Sequence, residues 1–105
     1  MLGKLEAEVM EIVWSEGKAS VRDVYEKLVV NRDIAYTTVM TTLGRLTSKG
    51  ILSKTRQGNA YIYSSLICKD EFVRNMISSI LDGLIQDYKN EVLEYMTVKN
   101  IMNSD

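Results

Sequence analysis

The hydrophobic periodicity of this chain changes at Gly50, and the change limits the folds that the chain can adopt. Before Gly50, apolar residues recur at intervals of three and four, which is typical of amphipathic helices. After it, apolar and polar residues alternate through Ile51–Arg56 and Ala60–Ser64, on either side of Gln57-Gly58-Asn59. Two alternating runs around a glycine-containing turn predict a β-hairpin. The sequence therefore predicts a mainly α fold with a small β-hairpin.

Three short helices are predicted before the hairpin. The first runs from about Leu2 to Glu16. The second opens at Ser20, which forms a near capping box with Asp23, and it ends near Asn31. The third begins near Tyr36 and is terminated by the glycine at position 50. Short helices joined by tight connections match a helix-turn-helix arrangement.

A hairpin that follows a helix-turn-helix forms a winged helix, and Gln57-Gly58-Asn59 would then be the tip of the wing. Lys54 and Arg56 lie on one face of the first strand. The alternative is a simple edge hairpin that covers the core. In either arrangement, we expect Tyr61 and Tyr63 to pack under the helices.

The third predicted helix carries a polar face made of poor helix formers. Its apolar stripe consists of Val39, Leu43 and Leu46, and the residues assigned to the opposite face are Thr38, Thr41, Thr42, Arg45 and Lys49. The four threonines within residues 37–42 cost about 2 kcal/mol relative to alanine, and the sequence offers no packing gain in return. A local rule that is broken on an exposed face indicates function. Short hydroxyls beside an arginine and a lysine suit a partner made of phosphates and base edges.

The charge distribution favours the same partner. The net charge of −1 is uninformative by itself. Between Ile34 and Lys69, however, there is no Asp or Glu, and the basic residues are Arg45, Lys49, Lys54, Arg56 and Lys69. From Asp70 to Asp105 the acidic residues are in excess. A basic middle joined to an acidic end predicts a binding surface on one module and a different role for the other, although ordinary solvated surface is the alternative.

Cysteine and histidine usage excludes several classes of site. The chain has no histidine and one cysteine, Cys68, so no disulfide can form within it and no standard zinc or copper site can be assembled within a subunit. We expect no cofactor, and we expect Cys68 to be a small buried hydrophobe. The lack of disulfides suits a reducing cytoplasm.

Membrane proteins, exported proteins and enzymes are also disfavoured. No apolar run approaches the ~18–20 residues that a membrane span needs, and the N-terminus lacks the cationic and then apolar order of a signal peptide. The sequence contains no paired thiols, no phosphate-binding glycine loop and no carboxylate cluster on the candidate binding face. We therefore expect a cytoplasmic protein that is not an enzyme.

The region from Lys69 to about Asn100 is predicted to be helical and is too apolar for a single surface helix. A surface helix needs one apolar face, and this segment has two. Gly83 predicts a bend or a break into two helices. The most economical partner for the second face is another copy of the chain. The residues predicted to form the dimer interface are Phe72, Met76, Ile77, Ile80, Leu84, Ile85, Tyr88 and Val92.

Several of these segments together resemble a known family. Leu2–Trp14, Ala35–Leu43, Arg45-Leu46 and Lys49-Gly50 are similar to the penicillinase-repressor family of the BlaI, MecI and CopY type. The resemblance covers about residues 2 to 66, and extends to the C-terminal helices only by hydrophobic character. It implies a homodimeric winged-helix repressor that binds a palindromic operator, with the third helix in the major groove, the wing on the backbone and the C-terminal helices in the dimer. By position, the groove-facing residues would be Thr37, Thr38, Met40, Thr41 and Arg45.

Two features of that family have no match in these residues. The copper-responsive branch has a cysteine-rich tail, so the resemblance does not support copper sensing. The β-lactam-responsive branch is inactivated by proteolysis at an Asn-Phe bond, and Glu94-Tyr95 occupies the similar place here.

The sequence thus predicts a winged helix-turn-helix DNA-binding domain over residues 1–67 and helical dimerisation elements over 68–105. The predicted contacts to double-stranded DNA are Thr37, Thr38, Met40, Thr41, Arg45, Lys49, Lys54, Arg56, Gln57 and Asn59. The predicted function is transcriptional regulation, most simply repression. The alternative is a winged-helix module that docks onto a larger protein assembly, which the pI of about 5.5 favours. A protein-docking face should be more aromatic and apolar than the threonine-arginine face.

Overall fold

The computed structural model describes the backbone of residues 2–103 and the side chains of residues 2–101. Its elements, in chain order, are α1 (Lys4–Glu16), β1 (Lys18–Ser20), α2 (Val21–Leu28), α3 (Tyr36–Ser48), β2 (Leu52–Gln57), β3 (Ala60–Ser65) and α4 (Lys69–Asn103). The prediction of a mainly α fold with a β-hairpin is confirmed. Contacts divide the chain into two compact units, one ending at Lys69 and the other beginning at Asp70. No helix within residues 2–103 has both the length and the apolar character of a transmembrane span.

The sheet has one strand more than the hairpin that the sequence predicts. The strand order is β1-β3-β2, and all neighbours are antiparallel. Strand β1 spans three residues, which is too short for an alternating pattern to be recognised. Its central residue, Ala19, pairs with Tyr63 and is buried. The extra strand connects the end of α1 to the hairpin.

One core joins the three short helices to the sheet. Its buried apolar residues are Val9, Met10, Val13, Ala19, Val24, Leu28, Val39, Leu43, Leu46, Leu52 and Tyr63. The expectation that both hairpin tyrosines pack under the helices is correct for Tyr63 and wrong for Tyr61, which is 45% exposed. The two lie on the same face of β3, but Tyr61 is opposite Arg56 near the tip of the hairpin, beyond the edge of the core.

The assignment of Thr42 to the outer face of α3 is wrong. Thr42 is 3% exposed and lies beside the apolar stripe of the helix. Its hydroxyl donates a 2.8 Å hydrogen bond to the carbonyl oxygen of Thr38, so that the buried oxygen is satisfied. Part of the low helix propensity of this segment is therefore offset by packing.

The second helix begins as the sequence predicts and ends earlier. Ser20 Oγ accepts a hydrogen bond from the Asp23 N–H at 3.1 Å, and the Asp23 carboxylate accepts one from the Ser20 N–H at 2.9 Å. The helix ends at Leu28, and residues 29–31 form a turn that leads towards α3. The Tyr25 and Tyr36 rings meet edge to face at 5.4 Å across this connection.

The C-terminal unit differs from its prediction in the position of its irregularity. Gly83 is helical, and the interruption within α4 lies at Tyr88, where φ is −139° and ψ is 46°. A glycine lowers helix propensity without forcing a bend. Cys68, just before α4, is exposed, so the expectation that it is buried is also wrong.

The capping box of α2 gives a testable contribution to stability. Replacing Ser20 by alanine removes the acceptor for the Asp23 N–H and should lower the free energy of unfolding by about 1 kcal/mol.

Hydrogen bonds from the backbone and then the side chain of Ser20 hold the pKa of Asp23 below its ordinary value of 3.8. This carboxylate therefore stabilises the fold above pH 3.8, and the contribution is lost as the pH falls through the lowered pKa. Urea unfolding from pH 7 to 3 measures both effects; Ser15→Ala, on the exposed side of α1, is the matched control.

Two threonines on α3 should respond oppositely to the same substitution. Thr38→Ala removes an exposed, poorly helix-forming side chain and should raise the free energy of unfolding by about 0.5 kcal/mol. Thr42→Ala removes buried atoms and should lower it by about 1 kcal/mol. Equal effects of the two substitutions in urea unfolding would contradict the assignment of Thr42 to the core.

Candidate nucleic-acid interface

The outer face of α3 is defined by the part of the helix that the core leaves uncovered. Val39, Leu43 and Leu46 are fully buried and fix the rotation of the helix about its axis. Side chains across the axis from this stripe must therefore point away from the core. The exposed residues on this surface are Thr37, Thr38, Met40, Thr41, Gly44, Arg45 and Ser48. We call this set the α3 outer face.

The threonine hydroxyls on α3 are not equally available. The Thr41 hydroxyl donates to the carbonyl of Thr37 at 2.9 Å, and the partly buried Thr47 makes the equivalent bond to Leu43 at 2.8 Å. Such hydroxyls can only accept a further hydrogen bond. Within the described side chains, the hydroxyls of Thr37 and Thr38 make no hydrogen bond, so they retain both donor and acceptor capacity. These two threonines are the best placed to meet a polar ligand.

A shallow depression lies along one edge of the α3 outer face. It is lined by Leu5, Thr37, Thr38, Thr41, Thr42 and Arg45. Leu5 comes from the first turns of α1, so the depression is bounded by two helices. Four of the predicted DNA contacts thus meet in one concave surface, while Met40 projects nearby and is 49% exposed.

The predicted contact Lys49 is already paired within the protein. It is the C-terminal cap of α3, and its ammonium group lies 2.8 and 3.0 Å from the two carboxylate oxygens of Glu6. Hydrogen bonding to Lys49 lowers the pKa of Glu6 most, followed by the Gly3 N–H, and the charge of Arg45 contributes. Arg45 itself makes no hydrogen-bonded ion pair within the described side chains. Within the described side chains, Lys49 is therefore ion-paired inside the protein, whereas Arg45 is not.

The wing presents the remaining predicted contacts. Lys54, Arg56, Gln57 and Asn59 are all exposed. Glycine at position 58 has a φ of 62°, a conformation that favours glycine, and it allows the tight reversal between β2 and β3. The Arg56 Nε donates to the Gly58 carbonyl at 3.0 Å, while the Lys54 ammonium lies 4.2 Å from the centre of the Tyr61 ring. Both basic side chains are thus held by contacts within the hairpin.

The two wing cations lie on the side of the sheet that faces the helices. Leu52 and Tyr63, which are buried against the helices, occupy this face of the hairpin. Lys54 pairs directly with Tyr63 and Arg56 with Tyr61, so all four follow the same face outward from the core. A ligand that rests against this face meets both cations.

Some residues of this surface were not identified from the sequence. Gly44 and Ser48 follow Thr37 and Thr41 along the outer face at helical spacing, so a helical projection could have found them. Tyr61 and Glu6 could not be found in this way, because their roles depend on pairing with Lys54 and Lys49. Within the described residues, no group of three or more Cys, Asp or Glu is arranged to hold a metal ion.

Comparison with known proteins identifies relatives of this chain. Residues 2–105 match the family model described as penicillinase repressor. The transcriptional regulator BlaI of Mycobacterium tuberculosis is 41% identical over 86 residues, which are 81% of this chain and 60% of that protein. The penicillinase repressor of Staphylococcus aureus is 26% identical over 101 residues, covering 95% of this chain and 80% of that protein. The chain thus spans about 60% of the length of its mycobacterial relative.

Two solved structures each resemble about two thirds of this chain. The solution structure of the DNA-binding domain of the repressor BlaI has a TM-score of 0.60 and 26% identity, and the match covers 66% of this chain and 84% of that chain. The monomeric form of Bacillus licheniformis BlaI in complex with the blaP half-operator has a TM-score of 0.58, with the same identity and coverage. These likenesses confirm the predicted winged-helix fold. With a family match over residues 2–105, the chain belongs to the penicillinase repressor family.

Proposed function

We propose that this chain is a DNA-binding transcriptional repressor, active as a homodimer in the cytoplasm, that binds an operator through α3 and the wing. The observation that carries the proposal is the α3 outer face, where two uncommitted hydroxyls and Arg45 meet in a shallow concave surface. Support also comes from the family match and from the relative that was solved with its half-operator. The chemistry of this face suits nucleic acid better than a protein partner, because its centre is polar rather than aromatic.

The α3 outer face has the groups needed to read bases in the major groove. The free hydroxyls of Thr37 and Thr38 can each donate and accept, and threonine methyl groups can contact the methyl group of thymine. Arg45 has the donors to bind the O6 and N7 atoms of guanine, or to anchor on an adjacent phosphate. Met40 adds an adaptable apolar contact at the rim of the surface. We propose that these residues, with Thr41, form the sequence-reading part of the site.

The wing suits the phosphate backbone. Phosphate contacts fix the orientation of a protein on the duplex and carry no direct sequence information. Arg56 and Lys54 are restrained by Gly58 and Tyr61, so binding costs less side-chain entropy than it would for free cations. The amides of Gln57 and Asn59, at the turn, can supply further hydrogen bonds. We assign the wing to affinity rather than to specificity.

The α4 helix is the proposed dimerisation element. Its apolar side chains Ile77, Ile80, Leu84, Ile85 and Tyr88 are between 41% and 56% exposed, while Phe72, Met76 and Val92 are partly buried. A second copy can cover such side chains, because most soluble oligomers are symmetric dimers. A twofold dimer also matches the two half-sites of a palindromic operator, which lie about 34–36 Å apart.

Substitutions in α3 and in the wing should separate reading from anchoring. If Arg45 reads a base, Arg45→Ala should weaken binding by about 1–3 kcal/mol and relax the preference at one operator position. Arg56→Ala should weaken binding to all sequences alike and reduce the slope of log affinity against log salt by about one. Fragments selected from a random DNA library provide the operator, and fluorescence anisotropy across salt concentrations provides the slopes. Lys18→Ala, at an exposed position of β1, removes one positive charge outside the proposed site and is the control.

The threonine face gives the sharper form of the same test. Thr38→Ala should weaken operator binding although it should stabilise the fold, so reduced affinity could not be ascribed to unfolding. Operator binding by Thr37→Ala and Thr38→Ala at the parental affinity would show that these threonines are not part of a DNA-reading surface. A protein-docking role for this face would then be the better explanation.

Charge introduced into the apolar face of α4 should dissociate the proposed dimer. Ile80→Glu combined with Leu84→Glu should give a monomer in sedimentation experiments at micromolar concentration. Operator affinity should fall by about 10²–10⁴, because the second half-site is then no longer bound intramolecularly. Gln86→Glu, two positions from Leu84 and therefore on the other side of the helix, adds the same charge as one substitution and should leave the dimer intact. A parent protein that sediments as a stable monomer would contradict the proposal.

A further inference from the structure

Glu6 places a carboxylate at the edge of the proposed DNA-binding surface. It lies in the first turn of α1, next to Leu5, which lines the depression beside α3. Its side chain is only 15% exposed. An acidic group next to a polyanion repels it unless a local cation neutralises the charge. The Glu6 carboxylate at this edge is therefore unfavourable for DNA binding unless a nearby cation neutralises its charge.

The Glu6 carboxylate is fixed from two directions. One of its oxygens accepts a hydrogen bond from the Gly3 N–H at 3.1 Å, which caps the first turn of α1. Both oxygens also contact the Lys49 ammonium group, at 3.0 and 2.8 Å. Because the Glu6 carboxylate is also hydrogen-bonded to the backbone at the start of its own helix, it is less free to move towards a ligand than the Lys49 side chain, which is 46% exposed.

We propose that Glu6 is a positioning residue that holds Lys49 away from the DNA phosphates and so limits sequence-independent binding. A phosphate that captured Lys49 would leave the Glu6 carboxylate without its cation, beside the negative backbone. Arg45, which lacks such a pair, stays available to the ligand. This inference rests on the proposed DNA-binding function. It also changes the role predicted for Lys49, from a direct DNA contact to an internal counterion.

The inference predicts an asymmetric response to removing the two charges. Glu6→Gln retains an oxygen for the Gly3 N–H but releases Lys49, so one additional phosphate contact should form. The slope of log affinity against log salt should then become steeper by about 0.9. Lys49→Gln should weaken binding, because it leaves the Glu6 carboxylate without its cation, but it should not lower the slope by a full phosphate contact, since the parent does not use Lys49 on phosphate. The double variant, which removes both charges of the pair, should have the parental slope.

The experiment measures binding of the full chain and of the three variants to a short mixed-sequence DNA duplex. Fluorescence anisotropy between about 50 and 200 mM salt gives each slope. Circular dichroism and urea unfolding establish that each variant is folded under these conditions. A slope that is lower by about 0.9 for Lys49→Gln would overturn the inference, since Lys49 would then contact phosphate in the parent. An unchanged slope for folded Glu6→Gln would overturn it as well.

The outcome distinguishes failure of the inference from failure of the proposed function. A parent that binds DNA with the usual salt dependence, while Glu6→Gln has the same slope, refutes only the role of Glu6. A parent without salt-dependent binding to duplex DNA refutes the proposed function and the inference together. If Glu6→Gln does not fold, Lys49→Gln decides alone, because its slope either falls by the value of one phosphate contact, about 0.9, or does not.

Discussion

Burial of three side chains on α3 is the constraint on which the rest of the candidate site depends. Val39, Leu43 and Leu46 are fully excluded from solvent, and together they leave the helix one rotational setting. That setting decides which residues face outward, because side chains one or two positions apart point in different directions around a helix. A core position that lost its packing would therefore alter the binding face as well as the stability.

The polar residues on α3 illustrate how a single residue type serves two purposes. Thr42 fills a place in the core and satisfies its hydroxyl on the carbonyl of Thr38, as a short β-branched residue can. Thr37 and Thr38 stay outside and lower the helix propensity without any visible structural gain. At Thr37 and Thr38 the unfavourable local preference is thus retained where the side chains face a potential ligand, as expected when function and local stability conflict.

Structural features that depend on neighbours in sequence are predicted correctly from the sequence, whereas features that depend on distant contacts are not. Helical spacing located α1 and α3, and alternation around Gly58 located the hairpin. Strand β1 is too short to show an alternating pattern of apolar and polar residues, and it forms because it pairs with β3. The outward assignment of Thr42 failed for a different reason: it lies at the border of the apolar stripe, where helical spacing alone does not decide burial. The bend expected at Gly83 failed because propensity does not determine where a helix breaks.

Charge offers the clearest case of information that a sequence lacks. Counted along the chain, Lys49 and Arg56 are equivalent members of one basic segment. In the structure, Arg56 is hydrogen-bonded to a neutral carbonyl, which leaves its positive charge uncompensated. The charge of Lys49 is compensated by a carboxylate that lies 43 positions away in sequence. Only an uncompensated cation releases counterions from DNA in proportion to its charge. The basic surface available to a nucleic acid is therefore smaller than the composition implies, and it is concentrated on Arg45 and the wing.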